Sequence, residues 1–160
     1  MSPQVLVLGL GNPLRGDDGI GPRVIEALNR HGLPEGATAL DAGTGGLDLL
    51  HVLEGWKRAV IVDAADVGRE PGQFVRFTPD EARLVGSQDA TSLHNAGLAE
   101  VLALADAVGQ PLPEMVIFGV QPDRIGWGEG LSEAVEAALP DIVNAVLNEI
   151  TNSWPVIRDP

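Results

Sequence analysis

The stretch Val5-Leu6-Val7-Leu8-Gly9-Leu10-Gly11-Asn12-Pro13-Leu14-Arg15-Gly16-Asp17-Asp18-Gly19-Ile20-Gly21 changes its hydrophobic period partway along. Its first four residues form a continuous apolar run, the pattern of a strand buried on both faces in a parallel sheet. A glycine- and proline-containing loop follows. From residue 19 to 30 the apolar residues Ile20, Val24, Ile25 and Leu28 recur at helical spacing, and Gly32 marks the helix end. Strand, loop and helix in that order begin an α/β layer fold.

The same alternation continues downstream. Ala37 to Leu40 reads as a second strand closing at Asp41, and Gly43-Thr44-Gly45-Gly46 leads into a helix carrying Leu47, Leu49, Leu50 and Leu53. Ala59-Val60-Ile61-Val62 is a third strand closing at Asp63. Only about ten residues, including Gly68, Pro71 and Gly72, then precede Phe74-Val75-Arg76-Phe77, too few for a parallel crossover of a dozen or more. The fourth strand is therefore expected to be an antiparallel edge strand. A helix with Leu98, Val101, Leu102 and Leu104 follows His94, and Met115-Val116-Ile117-Phe118 is the fifth strand. A last helix spans roughly 131 to 150, with Pro140 expected to kink or split it. The expectation is a three-layer α/β/α domain: a five-stranded, mostly parallel, twisted sheet with one antiparallel edge strand and helices on both faces. Residues 1–150 form the domain and 151–160 a C-terminal tail.

The 160 residues suit one domain, and 44% of them are apolar, ample for a core. There is no cysteine, which excludes disulfides, thiolate metal sites and cysteine nucleophiles. Ten Lys+Arg against 23 Asp+Glu give a net charge of −13, which argues against binding nucleic acid or an anionic membrane. Met1-Ser2-Pro3-Gln4 has no basic region or cleavage site, and no apolar run reaches the roughly 18 residues of a membrane span. A cytoplasmic monomer is expected.

Candidate chemistry lies where the strands end. In an open parallel sheet, ligands sit beyond the carboxyl ends of the strands. Asp17 and Asp18 follow strand one, Asp41 ends strand two and Asp63 ends strand three. A carboxylate at the end of an apolar strand needs a partner, a donor or a metal, because burying it alone is costly. Taken singly, Asp17 and Asp18 suit capping of the next helix, and Asp41 suits a hydrogen bond to the glycine loop after it. His31 reads as a helix-end residue and His51 as a surface residue. His94, in Thr91-Ser92-Leu93-His94-Asn95, stands at the mouth of a helix that Thr91 or Ser92 can cap. Two carboxylates and an imidazole on one edge would suit a divalent metal. The glycine loop also invites a dinucleotide-binding reading. That fingerprint fails, since Leu14 stands in place of its third glycine, and Pro13, Asp17 and Asp18 stand where a pyrophosphate needs free N–H groups.

Four stretches together resemble the hydrogenase maturation endopeptidases: Leu8 to Gly21; Leu40-Asp41-Ala42-Gly43-Thr44-Gly45-Gly46; Val60-Ile61-Val62-Asp63-Ala64-Ala65 on to Pro71-Gly72; and Ser92-Leu93-His94-Asn95 with Gly119-Val120-Gln121-Pro122. Their order and spacing cover the chain to about residue 148. The resemblance implies an endopeptidase that removes the C-terminal extension of a nickel-loaded nickel-iron hydrogenase large-subunit precursor. It places the family's metal-contacting acids on Asp18 and Asp63 and its histidine on His94. It implies no resident cofactor; the nickel recognised belongs to the substrate. The departures are small: Asp18 where some relatives have Glu, and Ala42 after Asp41 where many have Gly. The cut is expected either to be metal-assisted or to use a water activated by Asp18 or Asp63. No serine stands in a nucleophile elbow. The alternative function is a non-catalytic, nickel-sensing binding module for the same precursor.

Overall fold

The structure is a computed structural model, and it describes residues 4–44, 48–81 and 96–151. Strands β1 (Val5–Gly9), β2 (Ala37–Asp41), β3 (Arg58–Ala64), β4 (Phe74–Phe77) and β5 (Glu114–Val120) form one sheet in the order β2-β1-β3-β5-β4. β1, β2, β3 and β5 run parallel, and β4 pairs antiparallel with β5 at the edge. The short link from β3 to β4 gives the reversal its cause, and the expected sheet is the one observed. β1 and β3 are buried along their whole length, which is why both read as unbroken apolar runs.

Helices cover both faces. α1 (Ile20–His31) and α4 (Glu133–Thr151) lie on one side, where Val24, Leu28, Ile142 and Val146 pack on Val7, Val60, Val62 and Val116. α2 (Asp48–Leu53) and α3 (Ala96–Val108) lie on the other, where Leu49, Leu53 and Val101 meet Leu6, Leu8, Ile61 and Ile117. Alternate residues of each strand therefore serve opposite layers. The Gly32 N–H closes α1 on the Leu28 carbonyl, and Gly32 takes a φ of 98°. His31 stands in the last turn of α1, and His51 is exposed on α2.

One expectation needs correction. α4 is a single helix that runs through Pro140 rather than splitting there. Its neighbours Ile142, Val143 and Val146 are locked into the core, and that packing outweighs the one hydrogen bond that proline cannot donate. Arg76 of β4 grips the buried Glu149 of α4 through two contacts of 2.7 and 3.0 Å, tying the edge strand to the last helix.

The chain leaves β1 in both directions, to β2 on one side and, after β2, to β3 on the other. The carboxyl ends of β1 and β3 therefore flank the point where the sheet order switches, the place where open α/β sheets bind ligands. α1 starts close against this point. A Cβ on Gly21 would sit 2.6 Å from the Leu10 nitrogen and 2.8 Å from the Val62 oxygen, two atoms that bond each other at 2.9 Å. Gly21→Ala should thus cost about 1–3 kcal/mol by overpacking. Thermal denaturation should show Tm falling by roughly 2–4 °C per kcal/mol; an unchanged Tm would mean that α1 can retreat from the sheet freely.

Candidate functional site

The loop after β1 is built from inside. Leu10 N–H bonds the Val62 carbonyl at 2.9 Å and Gly11 N–H the Gly43 carbonyl at 2.7 Å, which joins the ends of β1, β2 and β3. Gly11 takes a φ of 133°, and a Cβ there would collide with the Asp18 carbonyl, so only glycine lets the loop double back. Asn12 N–H donates to Asp18 Oδ2 at 2.8 Å, and the Asn12 side chain accepts from Leu14 N–H at 2.9 Å. Arg15, Gly16, Asp17 and Asp18 N–H groups bond the carbonyls of Asn12, Gly128, Arg124 and Arg15. Every N–H from Leu10 to Asp18 is thus engaged within the protein, and Pro13 has none. No cradle for a phosphate remains, which agrees with rejecting the dinucleotide reading.

Asp17 and Asp18 lie in a one-turn 3₁₀ helix, Gly16–Gly19, and both are about 1% exposed. Neither caps a helix through its side chain, contrary to the simplest sequence reading of each. Consecutive side chains on a tight turn diverge, and these two go to different partners. Asp17 reaches the segment after β5. It accepts from Ser132 N–H at 2.7 Å, Ser132 Oγ–H at 2.8 Å, Asp123 N–H at 2.8 Å and Arg124 N–H at 3.1 Å. Burial pushes its pKa up, but the four donors outweigh burial and hold it below the ordinary value. Asp17 also stands at the start of α4, whose Glu136 N–H bonds the Ser132 carbonyl at 2.8 Å.

Asp18 instead accepts from Asn12 N–H, and its charge acts on Asp63 of β3. Asp63 is fully buried at the end of that strand, in register with Gly119 of β5. Its pKa is pushed well above the ordinary carboxylate range, first by burial and then by the charge of Asp18, against the pull of the Ala64 N–H. Two of the three sequence-predicted site residues, Asp18 and Asp63, are thus both buried at the carboxyl ends of β1 and β3 and act on each other electrostatically. Paired buried carboxylates can hold one proton between them or accept a cation. Asp41 stays apart: it is exposed and accepts the Gly43 N–H at 2.9 Å, the loop bond expected of it. His94 lies outside the described residues, as do Thr91 and Ser92. Among the described residues no three His, Asp or Glu groups form a metal cage.

Sequence reasoning singled out Gln121 and Pro122 only as part of the family resemblance and gave residues 121–132 no role in building the site. Gln121 Oε1 accepts from Val67 N–H at 2.8 Å and Arg69 N–H at 3.2 Å, fixing the loop after Asp63. Ser132 and the backbone of 123–124 fix Asp17. A signal existed: β5 was legible as a strand, and in a parallel sheet the loop after it must emerge on the same edge as Asp18 and Asp63.

Residues 22–149 match the hydrogenase maturation protease family. The chain is 39% identical over 155 residues to the hydrogenase expression/formation protein HupD of Bradyrhizobium diazoefficiens, a match covering 96% of this chain and 80% of that protein. It is 32% identical over 152 residues to the hydrogenase 2 maturation protease of Escherichia coli, covering 94% and 92%. Among solved structures, the hydrogenase maturating endopeptidase HybD from E. coli has a TM-score of 0.82 at 32% identity, covering 94% of this chain and 93% of that one. The [NiFe] hydrogenase maturation protease HycI from Thermococcus kodakarensis has a TM-score of 0.73 at 26% identity, covering 93% of each.

The two buried acids should respond to pH with opposite signs. Asp17 has a lowered folded pKa, so its stabilisation is complete above the unfolded value of about 4 and is lost as pH falls through the folded one. Asp17→Asn should cost about 1–3 kcal/mol at pH 7, because its amide turns N–H groups toward N–H groups. The gap in urea midpoint from the wild type should narrow below pH 4; a gap independent of pH would refute the clamp. Asp63 has a raised folded pKa, so stability is greatest below the unfolded value and falls as pH rises toward the folded one. Asp63→Asn should therefore be more stable than the wild type at pH 7 and equal to it near pH 3; a less stable variant at pH 7 would contradict the assignment.

Proposed function

The chain belongs to the hydrogenase maturation protease family, and from that premise we propose that it is the endopeptidase that removes the C-terminal extension of a nickel-loaded hydrogenase large-subunit precursor. The observation that carries this reading is the pairing of Asp18 with Asp63. These residues lie far apart in sequence, yet both are buried near the switch point of the sheet, and the charge of Asp18 acts on Asp63.

We assign Asp18, Asp63 and His94 as the groups that contact the nickel in the precursor. Two like charges buried near each other repel. Burial first, and then the nearby charge of Asp18, push the Asp63 pKa well above the ordinary carboxylate range and so favour its neutral, protonated form. A divalent ion arriving with the substrate replaces that proton and neutralises both acids, so binding favours the loaded precursor over the nickel-free one. Carboxylate and imidazole suit an open position on nickel, whose other ligands the substrate supplies. Hydrolysis then adds one water across the scissile amide. The water oxygen bonds the carbonyl carbon, its proton passes to a carboxylate within hydrogen-bond reach, and the departing nitrogen gains a proton.

The partner is thus a protein, the large-subunit precursor, and no nucleic acid is bound. Among the described residues no helix is long and apolar enough to cross a membrane. We place the protein in the cytoplasm as a monomer, with no resident cofactor and with residues 1–150 as its functional domain.

The test is incubation of the protein with nickel-loaded and nickel-free precursor, followed by mass spectrometry of the precursor's C-terminal end. The loaded precursor should lose its extension and the nickel-free one should keep it. Asp18→Ala, Asp63→Ala and His94→Ala should each remain folded and lower kcat/KM by about 100- to 10 000-fold. Normal cutting by all three variants would remove the site assignment, and binding without cutting by the wild type would favour the non-catalytic sensor.

A further inference from the structure

The two loops that the backbone joins beside the site carry an apolar surface with no use in the fold. Gly16 N–H bonds the Gly128 carbonyl at 2.8 Å, and Gly128 N–H bonds the Leu14 carbonyl at 2.8 Å. Asp17 seals the same junction through Asp123, Arg124 and Ser132. On this braced platform stand Leu14, Ile125 and Trp127, exposed by 50%, 41% and 81%. The Arg15 guanidinium lies over the Trp127 ring, 5.5 Å from its centroid. Arg15 Nε is buried and has no hydrogen-bond partner among the described residues. Neither Arg15 nor Arg124 is ion-paired among those residues, in a chain of net charge −13.

We propose that Leu14, Arg15, Ile125 and Trp127 form a docking surface for the folded body of the protein substrate, adjoining the cleavage site. The proposal rests on the functional reading above. Three observations choose this occupant. First, an indole 81% exposed stands off the surface, so the pocket that receives it must belong to the partner, and an extended peptide offers no pocket. Second, tryptophan and arginine dominate the binding energy of protein interfaces, and here they stack on each other between apolar neighbours. Third, the patch is continuous with the site. Leu14 and Asp18 are four residues apart, so their Cα atoms are at most about 14 Å from each other. A folded substrate presenting its scissile bond to Asp18 and Asp63 brings its body within reach of this platform. The Arg15 guanidinium, stacked on the Trp127 ring and in no ion pair among the described residues, supplies a cation for a carboxylate on the partner.

The test compares wild type, Trp127→Ala and Arg15→Gln against nickel-loaded full-length precursor, measuring steady-state processing and, separately, equilibrium binding. Trp127 contributes little buried surface to the fold, so its variant should keep the wild-type Tm. Trp127→Ala should raise KM and Kd about tenfold or more, with kcat within about twofold. Arg15→Gln should shift KM and Kd in the same direction with kcat similarly retained. Unchanged KM and Kd in both variants would overturn the proposal. So would a lower kcat at constant KM, which would mean that the loops only position Asp18. Self-association of the wild type that Trp127→Ala abolishes without changing Kd for the precursor would make the patch a contact between copies of this chain, against the proposal. A wild type that binds the precursor but does not cut it would refute the endopeptidase reading while Kd still reports on the patch; a wild type that neither binds nor cuts would refute both.

Discussion

A carboxylate sealed from water must find donors, and Asp17 finds four of them on one segment, residues 123–132. That set of bonds holds the loop after β1 against the loop after β5. The backbone pairing between Gly16 and Gly128 lies beside it, and so does the start of α4. Because Asp17 and Asp18 are neighbours on one tight turn, anchoring the first also fixes the direction of the second. The charge of Asp18 then acts on Asp63.

The three buried or strand-end acids show how environment divides one residue type among different tasks. Asp17 is supplied with N–H groups, so its charged form is favoured. Asp63 has burial and a like charge against it, with one N–H in support, so its neutral form is favoured. Asp41, exposed, turns back on its own loop. The first arrangement stabilises the fold and the second destabilises it at neutral pH, which is the pattern expected where stability is yielded to a function. A cation held near Asp18 and Asp63 would offset that loss.

The layout of strand, glycine loop and helix is shared with dinucleotide-binding folds, but the N–H groups of this loop are committed differently. In those folds the loop amides and the helix N-terminus face an anion. Here the amides of residues 10–18 are taken by Val62, Gly43, Gly128, Arg124 and the loop itself. What the turn presents instead is carboxylate, so the same scaffold position that elsewhere receives phosphate is suited to a cation.

Much of the fold was legible in the chain because it depends on local periodicity. The apolar runs at Val5–Leu8 and Ala59–Val62 require strands buried on both faces, and the ten-residue link before Phe74 leaves no room for a parallel crossover. The glycines near Asp18 and the strand-end position of Asp63 also placed both acids on one edge, and the family resemblance selected them from among the other acids there. Local pattern could not say where each side chain turns. Asp17 and Asp18 look equivalent as helix caps until β5 delivers Ser132 and Asp123 to the first and β3 delivers Asp63 to the second. Likewise Pro140 reads as a break until the core contacts of Ile142, Val143 and Val146 hold α4 continuous. Strand and helix arise from the spacing of neighbours along the chain, whereas the roles of the buried acids arise from partners about 45 to 115 residues away, and only tertiary packing decides which of those partners is within hydrogen-bond or Coulomb reach.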